Sequence, residues 1–203
     1  MSHTRPIDLD TAVKNRTRAL SVLIEDVYQA HNAASIIRTC DHHGIQDLHV
    51  VETRNRFNWP EPPLPADFVD TTEGAWRRVT IHRYQPADTT ALTALMNGFK
   101  QEGYRIAATS LRPGYVELTE CTMDEKLLLC FGTEEHGLSE TLHAAADVAV
   151  RIPMFGMTQS LNVSVSVALC LHELRRKLEA GPLDWALDAA EQRQLKATWS
   201  GEA

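Results

Sequence analysis

Three stretches gather the side chains that could do chemistry: HNAASIIR (31–38), FGTEEHGLS (131–139) and IPMFGMTQSLN (152–162). Together they offer a guanidinium at Arg38, a carboxylate at Glu134, a hydroxyl at Ser160 and amides at Asn32 and Asn162. Their small residues permit close approach of another backbone or of a ligand. Each stretch lies at the end of a predicted strand, or just beyond one, and ligands of open α/β sheets bind outside the carboxyl ends of strands. On pattern alone the set describes an α/β nucleotide-binding enzyme. The common signatures are missing. Gly132 and Gly137 have P-loop spacing, but Leu138-Ser139 follows instead of Lys-Ser/Thr. There is no G-x-G-x-x-G, and Ser160 lacks a G-x-S-x-G context. His31, His42, His43 and His136 lack metal-ligand spacing, so no metal is expected. Each stretch also has an ordinary reading: Asn32 as a helix cap, Arg38 as a solvated helix residue, GTEEHG as a turn, SLN as a packing segment.

The elements that must position these residues alternate. ALSVLIEDV (19–27), DLHVVE (47–52), TIHRY (80–84), YRIAATSL (104–111), KLLLCFG (126–132) and VAVRIPM (148–154) read as strands. Helices are predicted over NAASIIRTCDHHG, with Asn32 as N-cap and Gly44 as stop, and over TALTALMNGFKQEG and SETLHAAAD, the latter capped by Ser139. GAWRRV reads as a short helix. TRNRFNWPEPPLPADFVD (53–70), with four prolines, reads as a long loop. SLNVSVSV alternates like a strand, yet Val163, Val167, Leu171, Leu174 and Leu178 recur at helical spacing, with Leu161, Val165, Ala168 and Leu169 as a second stripe. A helix from about 160, buried over a wide arc, is therefore expected. The alternation predicts an α/β fold: a mostly parallel sheet with helices on both faces.

The chain has 203 residues, a net charge of −7 and no apolar run long enough to span a membrane. Its start has no apolar core, so no secretory signal is expected. Four scattered cysteines, Cys40, Cys121, Cys130 and Cys170, argue against a zinc site or a disulfide framework and suit a reducing cytoplasm. The negative charge taken alone leans against a nucleic-acid partner, although a local basic patch can serve within an acidic chain.

Asn32 and Arg38 six residues apart, Gly132-x-Glu134-x-x-Gly137, and IPMFGMTQSLNVSVSVAL occur in this order. Together these motifs resemble the SpoU branch of the SPOUT RNA methyltransferases, over roughly residues 20 to 178. HNAASIIRTCD and the third motif are most similar to members that act on a D-loop guanosine, position 18 of tRNA. The resemblance implies a C-terminal trefoil knot within a methyltransferase domain (20–179), flanked by extensions (1–19 and 180–203). It implies transfer of a methyl group from S-adenosylmethionine to a ribose 2′-hydroxyl of tRNA, without a metal, by a cytoplasmic homodimer whose reaction centre draws on both subunits. An anticodon-loop ribose, a ribosomal RNA ribose, or a non-catalytic RNA-binding role are the alternatives that the motifs leave open.

By the same carry-over, Arg38, Asn32, Glu134, Ser160 and Asn162 form the catalytic set, and Thr109, Gly132, Ile152 and Leu161 contact the cofactor. Candidate phosphate contacts are Lys14, Arg16 and Arg18, then Arg54 and Arg56, then Arg175, Arg176 and Lys177.

Overall fold

The computed structural model describes residues 7–54 and 64–201; Arg56 lies outside them. Seven strands form one sheet: β1 (Leu20–Glu25), β2 (Asp47–Val51), β3 (Thr80–Tyr84), β4 (Tyr104–Thr109), β5 (Val116–Glu117), β6 (Lys126–Phe131) and β7 (Val148–Arg151). Their order is β3-β2-β1-β6-β4-β7-β5, and every pairing is parallel. Every residue of β1 is buried, as is all of β6 after Lys126. This explains their near-continuous apolar sequences, the mark of strands covered on both faces.

Alternate side chains sort into two cores. Val22 and Ile24 pack with Ile36 and Ile37 of α2 (Ala30–His42) and with Val163, Val167 and Leu171 of α6 (Val163–Ala180). Leu23, Leu128 and Cys130 pack on the other side with Leu92 and Met96 of α4 (Thr89–Gln101) and Leu142 of α5 (Glu140–Ala145). Glycine is required after α2. Gly44 adopts φ +70°, and a Cβ there would lie 2.2 Å from the carbonyl oxygen of Asn15.

Four sequence expectations need correction. Asn32 does not cap α2; Gln29 is the cap residue, and Asn32 is buried in the first turn. The proline-rich stretch ends in a helix, α3 (Ala66–Thr72), which Pro65 can precede without losing a needed N–H, and which buries Phe68 and Thr72. Helix α6 starts at Val163, because Asn162 stays extended and caps it through Ser164 N. Its second apolar stripe is not buried: Val165 and Leu169 are 45% and 44% exposed. The two-residue edge strand β5 was too short to show a period.

The terminal segments pack on each other. Helix α1 (Leu9–Lys14) contacts α7 (Ala189–Ser200), and Lys196 pairs with Asp10 at 2.6 Å. Thr17 bridges to both Ile45 and Ala186, tying this unit to the sheet.

Candidate active site

The carboxyl ends of β4, β6 and β7 open into a cavity of about 330 Å³. Thr109, Gly132, Ile152 and Leu161 all line it, together with Ser160, Glu134 and Glu135. Thr109 closes the end of β4 by donating Oγ1–H to the Cys130 carbonyl at 2.9 Å. Gly132 is dictated by close approach: a Cβ there would stand 2.0 Å from the carbonyl carbon of Gly137. The loop folds back because Gly137 N donates to Thr133 O at 2.9 Å and His136 N to Thr133 Oγ1 at 3.0 Å. Gly137 itself sits at φ +65°.

Three of the sequence-derived catalytic residues meet at the edge of this cavity. Asn162 donates its amide to Asn32 Oδ1 at 3.0 Å and to Glu134 Oε1 at 2.7 Å. Glu134 Oε1 also accepts from Val163 N at 3.2 Å, a free N–H at the start of α6. Asn32 Nδ2 donates to Gln29 Oε1 at 2.7 Å, with a longer contact to Glu134 Oε1 at 3.4 Å. Asn162 Oδ1 is held in turn by Ser164 N at 2.9 Å. One carboxylate oxygen thus ties together the β6–α5 loop, α2 and the start of α6. The cluster can orient groups and draw positive charge, but it contains no nucleophile.

Arg38 is elsewhere. Six residues along α2 carry it about 9 Å up the axis and about 120° around from Asn32. Its guanidinium pairs with Glu73 at 2.8 Å and is 51% exposed. It lines a shallow groove with Ser35, His42, Val165, Leu169 and His172. That groove contains the uncovered stripe of α6. Phe155 and Met157, on the loop before α6, are fully exposed as well.

The basic residues divide. Arg16 is 2% exposed, donates to the Ile45 carbonyl, pairs with Asp41 and stacks over Trp199. Arg18 bridges Asp47 and Glu191. Arg175 is buried beneath Trp185. Lys177 donates to the carbonyls of Leu118, Thr119 and Cys121. These four therefore hold the fold, and the reading of Arg16 and Arg175 as phosphate contacts is corrected by their burial. Lys14, Arg54 and Arg176 remain exposed.

Pattern reasoning missed Gln29, which anchors Asn32, and Glu25. The Glu25 carboxylate accepts Ser139 N at 2.7 Å at the head of α5. Burial pushes its pKa up. A carboxylate closing a largely apolar strand was the available signal.

The chain is similar to known proteins in sequence and fold. The SpoU rRNA Methylase family matches residues 19–172. The tRNA (guanosine(18)-2′-O)-methyltransferase of Thermus thermophilus is 35% identical over 193 residues, spanning 94% of this chain and 93% of its own. The structure of the A. aeolicus TrmH/SpoU tRNA modifying enzyme superposes with a TM-score of 0.77 at 28% identity, covering 96% of this chain and 93% of that one. An AdoMet-bound rRNA methyltransferase from Sinorhizobium meliloti shares the fold, with a TM-score of 0.67 at 24% identity over 86% of this chain and 62% of that one.

Proposed function

The chain belongs to the SpoU methylase family, and from that premise we propose that it methylates the ribose 2′-oxygen of the D-loop guanosine 18 of tRNA, with S-adenosylmethionine as donor. The observation that carries this reading is the Asn32–Glu134–Asn162 cluster at the edge of the cavity lined by Thr109, Gly132, Ile152 and Leu161.

The cavity suits the donor. Leu111, Val150, Ile152, Met154 and Leu161 give apolar contact for a nucleobase, while the strand-end backbone offers polar groups for its edges. Glu134 and Glu135 add negative charge, which favours a cation. When bound, S-adenosylmethionine supplies a methyl group already activated on a sulfonium. The ribose hydroxyl is a weak acid, so the protein's task is to align it and ease loss of its proton. Asn32 and Asn162 are fixed by their shared carboxylate and orient the ribose. A guanidinium offers five N–H donors and no acceptor, so Arg38 is no simple base. It clamps an RNA phosphate and stabilises alkoxide charge as it develops, and a phosphate oxygen takes the proton.

Arg38 reaches that position from a second copy of the chain. The exposed Val165, Leu169, Phe155 and Met157 support a two-fold dimer that covers them and carries Arg38 of each protomer toward its partner's cluster. The path of β7, inserted between the earlier strands β4 and β5 before α6, supports a knotted C-terminal half. Residues 20–179 then act as the methyltransferase domain, with Lys14, Arg54 and Arg176 touching phosphates. All four cysteines are free and buried, which suits action in the cytoplasm. Among the described residues no helix is long and apolar enough to cross a membrane.

The test is methyl transfer to unmodified tRNA transcripts. A transcript with a D-loop guanosine should accept methyl groups, and deoxyguanosine at position 18 should stop the reaction. Equal methylation of a D-loop-deleted transcript would overturn the assignment.

A further inference from the structure

A second cavity, about 240 Å³, lies against the first. The turn after β1 forms one side with Val27, Tyr28 and Gln29, and the loop after β6 forms the other with Thr133, Glu134 and Glu135. Asn32 and Val163 complete it. Thr133, Glu134, Glu135 and Val163 line both cavities, so one wall separates them, and the amide–carboxylate cluster stands in that wall. The larger space takes the donor in the reading above. The smaller space is left for whatever accepts the methyl group.

Tyr28 is the unusual feature. It is a large aromatic side chain, 53% exposed, three residues past the end of a strand in which every residue is buried. No core role explains it, and it stands four residues before Asn32. Proteins that hold an unstacked base offer an aromatic face to it and read its Watson–Crick edge with polar groups. The polar groups are present. The Gln29 carbonyl oxygen is engaged by Asn32, which leaves its amide N–H groups to donate. Glu135 is 76% exposed and stands 3.8 Å from the His136 ring nitrogen. A carboxylate can accept both N–H groups on the guanine edge, whereas adenine offers an acceptor at its ring nitrogen.

We propose that this second cavity is the subsite for the target nucleoside, with the guanine stacked on Tyr28 and its N1–H and N2–H groups accepted by Glu135. The inference rests on the proposed methylation of a tRNA guanosine. It adds the residues that hold the base, so that the ribose falls beside Asn32 and Asn162.

The experiment compares wild type, Tyr28→Ala, Tyr28→Phe and Glu135→Gln in steady-state methylation of unmodified tRNA, with S-adenosylhomocysteine binding and particle size measured alongside. Wild-type activity on the tRNA establishes the underlying reading, and its absence would remove that reading before the subsite is tested. Given activity, Tyr28→Ala should lower kcat/KM for tRNA about tenfold or more, the size of a lost base–aromatic stack. Tyr28→Phe should stay within about twofold of wild type, because the ring and not the hydroxyl stacks. Glu135→Gln should lower the preference for guanosine over inosine at the target, since inosine lacks the N2 amino group. In the two Tyr28 variants binding of S-adenosylhomocysteine and particle size should not change, because Tyr28 does not line the larger cavity. Tyr28→Ala within twofold of wild type, Phe as damaging as Ala, or a change of oligomeric state in Tyr28→Ala would each overturn the subsite.

Discussion

Two parts of the site stand in contrast. Around the cavity at β4, β6 and β7, one chain supplies a finished arrangement. Glu134 Oε1 is bonded by Asn162 and Val163 N, the β6–α5 loop is closed on itself, and Gly132 tolerates no side chain. Around Arg38, the same chain leaves work undone. The guanidinium rests on an exposed Glu73, and the apolar stripe beside it faces outward. Both parts touch α2, so the difference comes from helix geometry and not from distance along the chain. Asn32 is on the face that packs against α6 and the β6–α5 loop, and Arg38 is on the face turned to the open groove. A finished half beside an unfinished half fits the proposed division of the site between two subunits.

Arg38→Ala should separate the halves most sharply. We expect methyl transfer to fall by about a thousandfold, the scale of losing a donor to developing charge. Binding of S-adenosylhomocysteine, followed by calorimetry, should be unchanged because Arg38 does not line that cavity. Arg38→Lys should also be poor, since a point charge lacks the planar fork. Activity within tenfold of wild type in the alanine variant would remove Arg38 from the mechanism.

Gly132→Ala should strike the other half. The new Cβ meets the Gly137–Leu138 backbone, which cannot yield as a flexible side chain would. Cofactor affinity should drop at least about tenfold and melting should come earlier, while the particle size by light scattering stays that of wild type. Unaltered cofactor binding would mean that the loop after β6 is not part of that pocket.

The third effect belongs to neither half and serves as a control. On β2 and β3, His49 stacks on His82 at 4.8 Å, and its Nε2 is buried without a hydrogen-bond partner. Burial, reinforced by His82, lowers its pKa from 6.5 to about 4. The unfolded chain therefore takes up a proton that the folded chain refuses between those values. This contribution is complete above pH 6.5 and is lost as pH falls toward 4, by up to about 3 kcal/mol. Denaturant titrations at pH 7 and pH 4.5 should show a smaller acid penalty in His49→Gln than in wild type. Equal penalties would show that His49 is not the group responsible.

Much of this was legible from residue types. The strand at 126–131 shows itself because a strand covered on both faces is apolar once past its first residue, Lys126. The four cavity-lining residues Thr109, Gly132, Ile152 and Leu161 and the Asn32–Glu134–Asn162 cluster came from the family resemblance, since no local pattern says that residues 130 apart bond to each other. The basic residues were the least legible. Arg16 and Arg54 look alike as letters, and only tertiary structure shows that one is sealed against Asp41 and Trp199 while the other is exposed. The exposed stripe at Val165 and Leu169 was misjudged for a related reason. Periodicity reports that a face is covered, but not whether its own chain or a second copy covers it.

The divided site is tested most directly by complementation. Arg38→Ala and Asn162→Ala, each inactive alone, are co-expressed with different tags, and the heterodimer is purified through both. If Arg38 serves its partner's cluster, one centre in each heterodimer carries both lesions and the other carries none. Methylation of tRNA should then return to about half the wild-type rate per dimer, because a two-fold dimer has two equivalent centres. If Arg38 serves its own chain, every centre carries one lesion. A verified heterodimer no more active than its parents would contradict the account.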